Sequence, residues 1–207
     1  MNGGMQRMLC RVGSASALFA SIGLALATPG MAADTEGTYA VRGLGSLTCD
    51  EVVARVDEAA GQIPLDLVAW SDGALSASNR LLPETHDLMP FRSPPDLSAR
   101  LAVNVCRSFA EITFDQAVNE VFALLGKIRL TGQEAEVSAR IGEQEIQLAP
   151  STLSYMTNAL IVRGFLDDAE PGDYGPSTAE ALIAFQAEQG LPQTGLPDQE
   201  TLLRLLL

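Results

Sequence analysis

The chain contains one histidine, His86, in the run Glu84-Thr85-His86-Asp87. A single imidazole excludes, within one chain, any metal or catalytic site that needs two. A Ser-His-Asp triad would have to take His86 as its base, and the sequence has no Gly-x-Ser-x-Gly elbow to present the serine. It has no phosphate loop, dinucleotide glycine fingerprint or calcium loop either, so no metal and no cofactor is expected. Acid is plentiful: 26 Asp and Glu against 13 Lys and Arg give a net charge of −13. Two carboxylates can cleave a glycan by acid–base or nucleophilic chemistry, but composition alone singles out no pair. The same charge excludes a phosphate-backbone binder, because nucleic-acid affinity is built from clustered Lys and Arg. It also disfavours docking on anionic lipid.

The cysteines are Cys10, Cys49 and Cys106, and their chemistry depends on compartment. Arg7 and Arg11 precede the apolar run 12–27, which is followed by Thr28-Pro29-Gly30-Met31-Ala32-Ala33. A basic start, a short apolar run and small residues after a proline read as a secretory signal peptide over 1–32. The run is short for a bilayer core about 30 Å thick. The alternative is an uncleaved N-terminal anchor. Cleavage would remove Cys10 and leave Cys49 and Cys106, which in an exported chain are expected to form a disulfide; two free buried thiols are the other possibility. The expected location is the periplasm, with no membrane contact after cleavage.

These residues need elements to hold them. Thr48-Cys49-Asp50-Glu51 is a capping box that opens a helix with Val52, Val53, Val56 and Ala60 inside and Gly61 as its stop. A second helix is expected from Pro64, with Leu65, Leu67, Val68, Trp70 and Leu75 inside. Residues 79–95 are rich in Pro, Asp, Ser and Asn and read as a loop. A third helix runs from about Asp96 to Phe109. Thr113-Phe114-Asp115-Gln116 then caps a fourth, whose stripe is Ala117, Val118, Val121, Phe122, Leu124, Leu125 and Ile128. Residues 39–130 therefore read as a small all-α domain tied by one disulfide, a useful staple for so small a core. Residues 131–149 are acidic. Val137, Ala139 and Ile141 alternate with polar residues, as do Ile146 and Leu148, with Gly142 between them. A linker and a short hairpin both fit.

From Pro150 the pattern becomes three short helices joined by Gly/Pro turns. Ser151 can cap the first, Leu153, Met156, Leu160 and Ile161 face inward, and Gly164 stops it. Gly172, Tyr174-Gly175-Pro176 and Thr178 lead into a second helix with Ala181-Leu182 and Phe185-Gln186. Gly190-Leu191, Gly195, Asp198, Thr201 and Leu205 complete the series. In order and spacing, residues 150–207 resemble the peptidoglycan-binding domain family of bacterial envelope proteins. Two departures stand out: Met156-Thr157 where the family often has Leu-Gln, and Pro171-Gly172 where it often has Asp-Gly. The resemblance implies a three-helix bundle with peptidoglycan as partner. Most of the matched residues also have structural readings as turn glycines, caps and core. The polar and aromatic residues left for ligand contact are Asp173, Tyr174, Gln186 and Arg163.

The N-terminal helices bear a fainter resemblance to small disulfide-linked periplasmic helical proteins, among them acid-stress chaperone and immunity-protein families. The fold expected is mainly α: an N-terminal disulfide-linked helical domain plus a C-terminal three-helix bundle. The expected function is an exported envelope protein that binds peptidoglycan through its C-terminal module and a periplasmic protein through its N-terminal domain. The alternative is a cell-wall hydrolase whose carboxylate-based site lies in residues 39–130.

Overall fold

The computed structural model describes Asp34, Glu36 and residues 38–91, 94–167 and 172–207. The expected signal segment 1–32, with Cys10, and the departure at Pro171 lie outside the described residues. Val41–Leu207 forms one compact unit. It is mainly helical: α1 (Cys49–Glu58), α2 (Leu65–Leu81), α3 (Leu97–Ser108), α4 (Phe114–Leu125), α5 (Pro150–Val162), α6 (Pro176–Glu188) and α7 (Gln199–Leu206). Between α4 and α5 lies an antiparallel hairpin, β1 (Val137–Ile141) and β2 (Gln144–Leu148). Among the described residues no helix is long and apolar enough to cross a membrane.

Both capping boxes form. The Glu51 carboxylate accepts from the Thr48 N–H at 2.9 Å, and the Gln116 amide oxygen accepts from the Thr113 N–H at 2.9 Å. The two helix starts lie side by side: Cys49 N–H donates to the Ile112 carbonyl at 2.8 Å and Phe114 N–H to the Leu47 carbonyl at 2.9 Å. Cys49 and Cys106 form the disulfide, linking α1 to α3 with both sulfurs buried. Trp70, expected to face inward, is half-buried and packs against the core. Its ring lies over Gly45, where an added Cβ would come within 2.1 Å of the indole, and its Nε1–H donates to the Arg42 carbonyl at 3.0 Å. A loop was expected from residue 79, but α2 continues to Leu81. Asn79, in its last turn, donates to Asp87 and accepts from the Leu88 N–H at 3.0 Å, so tertiary bonds hold a segment that composition marks as irregular.

Residues 137–148 form the hairpin, not an open linker. Gly142 has φ +58°, which suits the first central position of a tight two-residue turn. The alternation sets Ala139, Ile141, Ile146 and Leu148 on one face, with Ala139 and Leu148 buried. On the other face Ser138, Arg140, Glu145 and Gln147 bond to one another. Ahead of the hairpin, Glu134 reaches α5 and accepts from both the N–H and the hydroxyl of Ser151. Ser151 was expected to cap α5 itself. The cap is Ala149 and the helix starts at Pro150, two residues earlier than a Ser151 cap would start it, so Ser151 donates where a cap would accept.

α5 also bonds back to the first helical region. The Thr152 hydroxyl donates to the Pro90 carbonyl at 2.6 Å and the Tyr155 hydroxyl to the Arg129 carbonyl at 3.3 Å. One buried cluster runs from Cys49 and Val52 through Ala139 and Leu148 to Leu202 and Leu205. The helices, the hairpin and the C-terminal bundle therefore share a core.

Candidate functional site

α5 packs against both α6 and α7. The chain turns after α5 at Gly164 and brings Phe165 edge-on to Phe185 of α6, with ring centroids 5.5 Å apart. It then returns to the start of α5: an added Cβ at Gly172 would sit 3.4 Å from the Pro150 carbonyl and from the Ser154 hydroxyl. α6 begins there, so α5 and α6 start at the same end of the bundle. After α6 the turn 190–198 runs back along it. Gly195, at φ +68°, fits beneath the Ile141 side chain of β1 and against Ile183 of α6.

Gln186 organises that turn. Its amide oxygen accepts from the Gly195 N–H at 2.8 Å. Its amide nitrogen donates toward the Thr194 hydroxyl, the Leu196 carbonyl and the Thr201 hydroxyl at 3.0–3.1 Å. The side chain is fully buried. This corrects the expectation that Gln186 touches ligand: every polar group it has is spent inside the domain, and solvent does not reach it. Its partners Thr194 and Thr201 lie in the turn after α6 and in the first turn of α7. The signal that could have found the arrangement is the α6 stripe Thr178, Leu182, Gln186, spaced by four and buried throughout.

Tyr174 supports the same turn from the other side. Its hydroxyl donates to the Gly195 carbonyl at 2.7 Å, and burial pushes its pKa up to about 12. The ring is half-buried, so one edge remains available to a sugar or alkyl surface. Asp173 beside it is exposed. Arg163 is exposed at the other end of α5, with its guanidinium carbon 5.6 Å from the centroid of Phe185. A 13-residue helix separates the two places by about 20 Å, so Asp173 and Tyr174 form one locus and Arg163 another. Thr157, one of the two departures, is buried, and its hydroxyl donates to the Ser154 carbonyl at 3.2 Å. The replaced position therefore points into the core.

A cleft of about 480 Å³ lies between the loop after α2 and the segments flanking the hairpin. Asp72, His86, Asp87 and Glu134 line its polar side, and Leu75 and Met89 are on its apolar side. Its carboxylates serve the fold: Asp72 accepts from the Ser98 hydroxyl at 2.9 Å, Asp87 from Asn79 and from the Met89 N–H, and Glu134 from Ser151. Among the described residues no three His, Cys, Asp or Glu converge as a metal site.

Comparison with known proteins gives one match. Neither a curated protein nor a solved structure matches the chain. Residues 154–205 match the family described as "Putative peptidoglycan binding domain", a stretch that takes in most of α5, all of α6 and nearly all of α7.

Proposed function

We propose that this is an exported envelope protein held on peptidoglycan by its C-terminal bundle, while the disulfide-linked helices bind a periplasmic protein. The observation that carries the reading is the family match over 154–205, together with the assembly of its turn residues around Gln186 and Tyr174. Export is supported by the character of residues 1–32 and by a disulfide, which persists in oxidising compartments. Sedimentation with purified sacculi tests the wall contact, using the full chain and Gly195→Val. Valine at this left-handed position would strike Ile141, Ile183 and the Ala179 carbonyl. The expected result is co-sedimentation of the wild-type chain and loss of it in the variant, with the disulfide-linked helices still formed. Wild-type protein left in the supernatant would remove the proposal.

The second reading is a wall hydrolase. It is favoured by the cleft, where Asp72 and Asp87 stand with His86 beside an apolar wall. It requires soluble muropeptides to appear when oxidised protein is incubated with sacculi, and to disappear with Asp87→Asn. No release by folded protein rejects it.

A further inference from the structure

The family match begins at residue 154, yet the hairpin upstream of it builds one wall of a groove on the same bundle. Two adjoining cavities of about 340 Å³ each lie between β2 and the 194–199 turn, and they share Glu145, Ile146 and Asp198. One is lined by four consecutive residues of β2, 145–148. Side chains alternate between the faces of a strand, so a cavity that touches four in a row runs along the strand's edge.

That edge has main-chain groups to offer. The two-residue turn Gly142-Glu143 makes Ile141 and Gln144 the hydrogen-bonded closing pair of the hairpin. Counting back in register, Ala139–Ile146 and Val137–Leu148 are also bonded pairs, whereas Arg140–Glu145 and Ser138–Gln147 are not. The N–H and C=O of Glu145 and Gln147 therefore point away from β1. Among the described residues no main-chain bond outside the hairpin reaches them. The opposite wall is Leu196, Pro197 and Leu202, all buried, rimmed by Asp198 and Gln199. It is held by the Gln186 and Tyr174 bonds to Gly195, which makes those two side chains positioning residues for the groove.

We propose that this groove binds the peptide of peptidoglycan in extended form, as an added strand on the β2 edge. The inference rests on the wall-binding reading above and names a site for it. An open strand edge selects a peptide main chain over a sugar, because only a main chain repeats donors and acceptors at the strand interval. The groove's far wall belongs to the family-matched segment, so a peptide lying there stays continuous with a wall contact made by the bundle. At the rim Glu145 is paired with Arg140 and Asp198 caps α7 through the Thr201 N–H, so recognition there falls to main-chain groups and apolar surface.

The test uses the full, oxidised chain and a soluble muropeptide, a disaccharide bearing its peptide, with peptide-free glycan as comparison. Gln147→Pro removes an outward N–H without removing a hairpin bond, and Gln147→Ala removes the same side chain but keeps the N–H. Expected is about a tenfold weaker muropeptide affinity for the proline variant than for the alanine variant, the scale of one main-chain hydrogen bond, with retention of peptide-free glycan equal in both. Amide NMR of the wild-type chain serves if the proline variant misfolds: muropeptide should shift the Glu145 and Gln147 amide signals and peptide-free glycan should not. Equal affinity in two folded variants, or unmoved Glu145 and Gln147 signals, overturns the groove. If sacculi still retain the wild-type chain in that case, the groove alone has failed. If they do not, the wall-binding reading fails with it.

Discussion

Gln186 shows how a polar residue can be read correctly for chemistry and wrongly for place. An amide does donate and accept to peptide groups, but here the peptide groups are Gly195 and Leu196 of its own chain. Gln186→Ala would strip partners from the buried Gly195 N–H and from two threonine hydroxyls. It should destabilise the protein by about 2–4 kcal/mol in denaturant unfolding, with binding falling only as far as folding does. The sequence carried the clue, since four-residue spacing from Leu182 puts position 186 on the buried stripe. The reciprocal fit of Gly195 to the Gln186 oxygen lies in the path of a turn, which no local pattern encodes. Tyr174 makes a pH prediction. Its folded pKa of about 12 exceeds the ordinary tyrosine value near 10. The neutral phenol is therefore favoured in the fold, so its stabilising effect is complete below about pH 10 and is lost as pH rises toward 12. Tyr174→Phe should flatten alkaline unfolding over that interval, as followed by circular dichroism.

At the scale of elements, local rules located most helices and tertiary contacts moved their ends. The capping boxes at Thr48 and Thr113 were legible because each is complete within four residues. The end of α2 was not, because Asn79 is fixed by Asp87 and Leu88 across a loop. The hairpin was ambiguous for a similar reason: its alternation is short, and its inner face becomes apolar surface to bury only once Gly195 and α6 are placed beneath Ile141. Gly73 offers a clean test of a helix. It lies inside α2, and an added Cβ would meet nothing within 4 Å. Gly73→Ala should raise stability by about 0.5–1 kcal/mol, seen as a higher denaturant midpoint. The disulfide spans 57 residues. The chain-entropy relation gives roughly 4 kcal/mol for such a loop, an upper figure for the loss on replacing both cysteines with alanine. Comparing that variant with the oxidised wild type in denaturant measures it.

At the scale of the whole chain, the acidic balance decides what kind of binding is possible. A protein of net charge −13 gains nothing from long-range attraction to a polymer bearing carboxylates, so the wall contact proposed above rests on short-range hydrogen bonds and apolar contact. Such contacts are not weakened by screening. The shared core from Cys49 to Leu205 means that the disulfide-linked helices brace the face that the bundle presents. The most direct measurement is a binding isotherm of the full, oxidised chain on purified insoluble peptidoglycan, read by depletion of free protein at about 0.1 M and about 0.5 M NaCl. Saturable depletion that is undiminished at the higher salt is the predicted result. A chain that stays in the supernatant, or one released by salt, would contradict it.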